Sequence, residues 1–137
     1  MGQPESGSIS DLVRYRIETA KSDLQSANIL IREKEYRGAN NRAYYAIYHA
    51  ISAVHALDGK SYKRHKDTLA NFNKDYVKSH IFPQTFGRRI AQAEEIRHAS
   101  DYDDFYLATK EKAEEQVLTA KELIEQIEEY CIKRMKE

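Results

Sequence analysis

Cysteine occurs once, at Cys131, in a chain of 137 residues. No disulfide within the chain and no cysteine-based zinc site can form from it. Its neighbours Tyr130 and Ile132 predict a buried or half-buried thiol near a helix end. Proline and glycine are scarce: after residue 9 only Pro83, Gly38, Gly59 and Gly87 occur, so few positions can interrupt a helix. Long strand-like alternation of Val, Ile and Thr is missing. An excess of either charge is missing too, since Lys plus Arg total 22 and Asp plus Glu total 22. No global field draws the chain to nucleic acid, and a nucleic-acid function must rest on a local patch. No run approaches about 18 apolar residues and no basic-then-apolar leader opens the chain. The expectation is a cytoplasmic protein with no membrane partner.

What is present is helix. Apolar residues make up 41% and charged residues 32%, ordinary values for a soluble protein rich in exposed helix. The length suits one domain with one core, here residues 10–136. Residues 1–9, with two Gly, one Pro and two Ser, read as a flexible leader. Ser10 is a good N-cap for a first helix whose apolar stripe is Val13, Ile17, Ala20, Leu24, Ala27 and Ile31. A last helix, starting near Thr109, repeats that spacing with Ala113, Val117, Ala120, Ile124, Ile127 and Cys131. Between them the pattern predicts a second helix over 36–57, stopped at Asp58-Gly59. A third follows over 66–79 with Leu69, Phe72 and Tyr76 inward. A fourth opens at Pro83, presents Phe86, Ile90 and Ala93, and ends near His98. Residues 100–104 read as a polar connection. The fold expected is an all-α bundle of about five helices, two long hairpins plus short helices.

The second helix carries the information. At 100° per residue Ala43, Ala46, Ala50, Ala53 and Leu57 share one narrow arc, broadened by Ile47, Ile51 and Val54. Alanines there let another helix approach closely, whether from the same chain or a second copy. Arg42 and His49 lie seven residues apart at the edge of this arc, about two turns or roughly 10 Å along the helix, with Tyr45 between them. Arg grips phosphate with a planar fork, and His exchanges a proton near neutral pH. The bland alternative is a solvated polar face, with Tyr44, Tyr45 and Tyr48 as packing residues.

The string Arg42-Ala-Tyr-Tyr-Ala-Ile-Tyr-His49-Ala resembles the signature of HEPN domains, in particular the small stand-alone UPF0332 type. Arg42 and His49 match the superfamily's Arg-x(4–6)-His motif with six residues between. Tyr36-Arg37-Gly38-Ala39 ahead of it, and Arg97-His-Ala-Ser-Asp101-Tyr102-Asp103 after the fourth helix, extend the match over nearly the whole chain. The resemblance implies a dimer that brings two motifs to a shared cleft and cuts RNA without a metal. It also implies a toxin setting, often beside a minimal nucleotidyltransferase antitoxin. Arg42 would then clamp the phosphate and His49 act as general acid/base with Tyr45 in support, while Arg97, Asp101 and Tyr102 either orient the pair or form a structural hydrogen-bonding cluster at the helix end. The chain departs from the pattern at Ala43, where active members often carry Asn, Asp or His. Asn41 lies about 100° away and does not simply replace that residue.

Substrate affinity would call for positive charge near the cleft. Lys63, Arg64, His65 and Lys66 form the densest basic run and are candidates for the RNA backbone, or else a solvated loop. His55, His65, His80 and His98 show no ligand-like spacing, so neither metal nor cofactor is expected. Two functions compete. One is a dimeric endoribonuclease of toxin type. The other is a non-catalytic HEPN module that binds nucleotide, RNA or a partner nucleotidyltransferase, with Tyr102 and Tyr106 as tyrosines open to adenylylation.

Overall fold

The computed structural model describes residues 5–137, with side chains from residue 9 onward. Five α-helices follow in order: α1 (Glu5–Arg32), α2 (Tyr36–Leu57), α3 (His65–Phe72), α4 (Thr85–Tyr102) and α5 (Lys110–Met135). A single π-helical turn, Asn73–Val77, extends α3. No strand occurs among the described residues. The architecture is the expected all-α bundle, with α2 at its centre packed by α1, α3, α4 and α5.

The predicted stripes are the core. Val13, Ile17, Ala20 and Ala27 of α1 are buried, as are all six predicted positions of α5 and also Leu123. Cys131 is fully enclosed, and burial pushes its thiol up to about 12. The alanine arc of α2 is enclosed by the chain's own helices: Ala43, Ala46, Ala50 and Ala53 are at most 1% exposed. Small side chains here let α1 and α5 settle close to the α2 backbone, which is why α2 can be central.

The ends of the helices differ from the sequence reading at three places. First, α1 begins at Glu5 rather than Ser10. Ile9 packs against the core, and the Ser10 hydroxyl turns to Met135 Sδ of α5 at 3.4 Å instead of capping. The part of the expected leader before residue 5 lies outside the described residues. Second, the third helix is regular only from His65 to Phe72 and then widens, with the amide of Lys78 bonded to the Asn73 carbonyl. The wider turn still aims Tyr76 inward, its ring 5.5 Å from that of Phe72. Asn73 also reaches Gly87 of α4, where a Cβ would stand 2.7 Å from its Oδ1, so any larger residue there would make the Asn73 side chain turn aside.

Third, α4 runs on to Tyr102 instead of stopping near His98. Arg37 of α2 explains this. Its guanidinium donates to the carbonyls of Ser100 at 2.7 Å and Asp103 at 3.1 Å, and to that of Tyr106. The otherwise unpaired C-terminal carbonyls of α4 are thus satisfied, and Asn40 Nδ2 adds a bond to Ser100 Oγ at 3.0 Å. The other predicted boundaries hold closely. Gly59 ends the α2 turn at φ +72°, and Thr109 caps α5 by accepting from the Lys112 amide at 3.2 Å. Among the described residues no helix is long and apolar enough to cross a membrane.

Candidate active site

The Arg42/His49 face of α2 meets α1 at one residue, Asp23. Its side chain is 10% exposed, and its two oxygens divide between the motif residues. Arg42 Nη1 donates to Oδ1 at 3.0 Å, while His49 Nδ1 lies 2.8 Å from Oδ2. An ionised carboxylate only accepts, so the proton of a neutral His49 ring sits on Nδ1 and Nε2 carries a lone pair. This side chain is about one-third exposed.

Asp23 lies outside the motif, although the sequence carries a signal for it. It sits three residues after Ala20 and four before Ala27, on the apolar face of α1. A carboxylate on such a face is seldom buried unless paired. The pairing bears on the departure at Ala43. That residue points into the packed core, fully buried, and the acceptor that holds Arg42 and His49 comes instead from α1.

An aromatic layer flanks the pair. The Arg42 guanidinium lies 5.7 Å over the Tyr45 ring, and His49 lies 6.2 Å from Tyr45 and 5.6 Å from Tyr48. Tyr45 therefore does bridge the two motif residues. Arg97 of α4 sits 4.5 Å over Tyr44 and 5.8 Å over Tyr45, so it touches the tyrosines of the site and not the motif pair itself. Asp101 holds Arg97 at 3.6 Å and accepts from Asn41 at 2.9 Å, tying α4 to α2 beside the motif. Tyr102 is not brought to the site. It is 67% exposed, with its ring 5.0 Å from His98.

The basic run splits. Lys63, Arg64 and Lys66 are exposed, and Arg64 already pairs with Asp67 at 3.0 Å. His65 folds back onto α2, its ring stacked 4.0 Å from Tyr48. Burial, then the neighbouring Arg97 and His49, lower its basicity below the ordinary imidazole range. Tyr44, buried beneath, has its hydroxyl pushed up to about 12 by burial, against the pull of Arg97.

Known proteins are similar to this chain in sequence, and one in fold. A protein of Methanocaldococcus jannaschii named as a toxin candidate is 30% identical over 119 residues, covering 87% of this chain and 88% of its own. A Thermotoga maritima protein described as UPF0332 is 26% identical over 117 residues, covering 85% and 89%. The solved structure of Thermus thermophilus TT1696 superposes with a TM-score of 0.73 at 21% identity, over 85% of this chain and 96% of that one, which shows a shared fold. The HEPN domain model matches residues 13–130, which takes in Asp23, Arg42, His49 and Arg97 alike. With that match spanning all five helices, the chain belongs to the HEPN domain family, in its small UPF0332 form.

Proposed function

We propose that this protein is an endoribonuclease of toxin type that acts as a homodimer and cuts RNA with Arg42 and His49. The observation that carries the reading is the Asp23 bridge: one buried carboxylate fixes the tautomer of His49 and the orientation of Arg42 at once. A positioned, unprotonated Nε2 is what a general base requires.

RNA supplies its own nucleophile. His49 Nε2 takes the proton of a 2′-OH, the freed O2′ attacks the adjacent phosphorus, and the P–O5′ bond breaks. The 5′-oxygen leaves with a proton from a second imidazole, giving a 2′,3′-cyclic phosphate and a 5′-hydroxyl. Arg42 faces the charge that develops on the phosphate oxygens. One chain holds one Arg-x6-His motif, so the His49 of a second copy supplies the acid, and the active form is a dimer of about 32 kDa from 16.0 kDa chains. Lys63 and Lys66, exposed in the run that holds His65, are the cations left to contact the RNA backbone, with Arg64 partly neutralised by Asp67. Toxin-named relatives support a toxin–antitoxin setting, in which a minimal nucleotidyltransferase is the expected partner.

The test is cleavage of a mixed RNA pool with EDTA present, comparing wild type with His49→Ala. Cutting by wild type alone is expected. A folded wild-type dimer that cuts nothing would overturn the reading. It would favour the second one, a non-catalytic module that binds RNA, nucleotide or a nucleotidyltransferase. One observation already favours that alternative: Ala43 stands where active members often carry a polar residue. In that case Tyr102, 67% exposed, is the more open of the two candidate tyrosines for adenylylation, and Tyr106 is half-buried.

A further inference from the structure

His65 opens α3, and the seven-residue segment from Asp58 carries it back over the motif face of α2. Its ring stacks on Tyr48 at 4.0 Å and meets Tyr45 edge-on at 5.7 Å. His49 packs on the same two rings, at 5.6 and 6.2 Å. Two imidazoles therefore flank one pair of tyrosines, and the hydrogen bonds behind them are of opposite kind.

Behind His49 stands a carboxylate that can only accept, which puts the ring proton on Nδ1. Behind His65 stands a hydroxyl, with Tyr44 Oη 3.2 Å from Nδ1. Tyr44 is 1% exposed and stays protonated through the whole working range of pH, because burial pushes its hydroxyl up to about 12. That O–H must find an acceptor, and His65 Nδ1 is the one found among the described residues. The Arg97 guanidinium, 4.5 Å over the Tyr44 ring, makes the hydroxyl a stronger donor. Nδ1 then holds a lone pair and the single proton of the neutral ring lies on Nε2. Burial and the adjacent Arg97 keep His65 in that neutral form.

We infer that His65 is a second functional imidazole of this site, locked by Tyr44 as the Nε2–H tautomer and donating that hydrogen bond to a non-bridging oxygen of the scissile phosphate. The inference rests on the ribonuclease reading above. A neutral imidazole does not give up its last proton, so His65 changes no proton count. It supports charge developing on the phosphate, while the base remains His49 and the acid remains the His49 of the second copy. His65 thereby leaves the company of Lys63 and Lys66, whose role is affinity, and joins the residues that act on the barrier.

The experiment has two arms on the purified full chain. The first correlates imidazole nitrogens with their ring protons by NMR at about pH 8, where neutral rings dominate. The expected pattern is Nδ1–H for His49 and Nε2–H for His65, with Tyr44→Phe abolishing the preference at His65. The second arm measures single RNA cleavage kinetics for His65→Ala and His65→Gln, since the Gln amide offers an N–H near the position of Nε2. His65→Ala is expected to lower kcat about a hundredfold with KM nearly unchanged, and His65→Gln to recover about a tenth of wild-type activity. An Nδ1–H ring at His65, a His65→Ala effect confined to KM, or Gln no better than Ala would each sink the inference while leaving His49 chemistry intact. The expected tautomers in a protein that cuts no RNA would remove the role of His65 together with the ribonuclease reading.

Discussion

Replacing Asp23 by Asn keeps the size of the side chain but trades an acceptor-only group for one that also donates. An amide facing Nδ1 can stabilise the other tautomer of His49 and so fill the Nε2 position with a proton. Asp23→Asn is therefore expected to lower RNA cleavage by about a hundredfold, measured under single-turnover conditions, while the urea midpoint moves little. The fold is spared because Arg42 and His49 keep access to water: their side chains are 42% and 32% exposed. An equal loss of stability and activity would mean that Asp23 acts as a packing residue only. In the sequence, Arg42 and His49 were legible because they sit on one helix at fixed spacing. Asp23 lies 19 residues before Arg42, and its choice of partner follows from how α1 docks.

On the scale of one element, α2 explains the most. Its alanines were read from the sequence as a close-packing arc, and the chain's own α1 and α5 occupy it. Ala46 is fully enclosed. Ala46→Leu adds three heavy atoms where the helices meet and is expected to cost about 1–3 kcal/mol, checked by the shift in thermal midpoint. A neutral result would mean that the interface yields more than its burial indicates. The same helix shows why boundaries were harder to read than faces. Arg37, near its start, decides where α4 ends by filling carbonyls 63 and 66 residues away. Local propensity at residues 100–102 has no access to that partner, so the stop at His98 was too early.

For the whole molecule, acid should weaken the fold well before carboxylates protonate. His55 is 1% exposed, its Nε2 bonded to the Thr68 carbonyl at 2.9 Å, and burial holds its pKa below the ordinary 6.5. The unfolded chain then binds this proton at a higher pH than the folded one. Stability is full above about pH 6.5 and declines as pH falls below it, until the folded ring also titrates. Urea midpoints at about pH 7.5 and 5.5 should differ in that direction, and His55→Gln, which keeps a donor for Thr68, should shrink the difference. An unchanged difference in the variant would assign the acid sensitivity elsewhere, with His65, also lowered by burial, as the next group to replace.

The residues by themselves determined which segments are helical, which faces are apolar, and that Arg42 and His49 share an edge. Each of these follows from the 3.6-residue period, a property that neighbouring residues carry together. Family membership was legible for a related reason, since its motif lies within a single helix. What only the tertiary structure decided is what stands behind those two side chains. Asp23 comes from α1, the Tyr44–His65 pair needs α3 folded back over α2, and Arg97 arrives on α4. Side chains from separate elements meet through packing of the whole core, which no local pattern encodes. The tautomers on which the proposed chemistry depends are therefore set by the bundle and not by the motif.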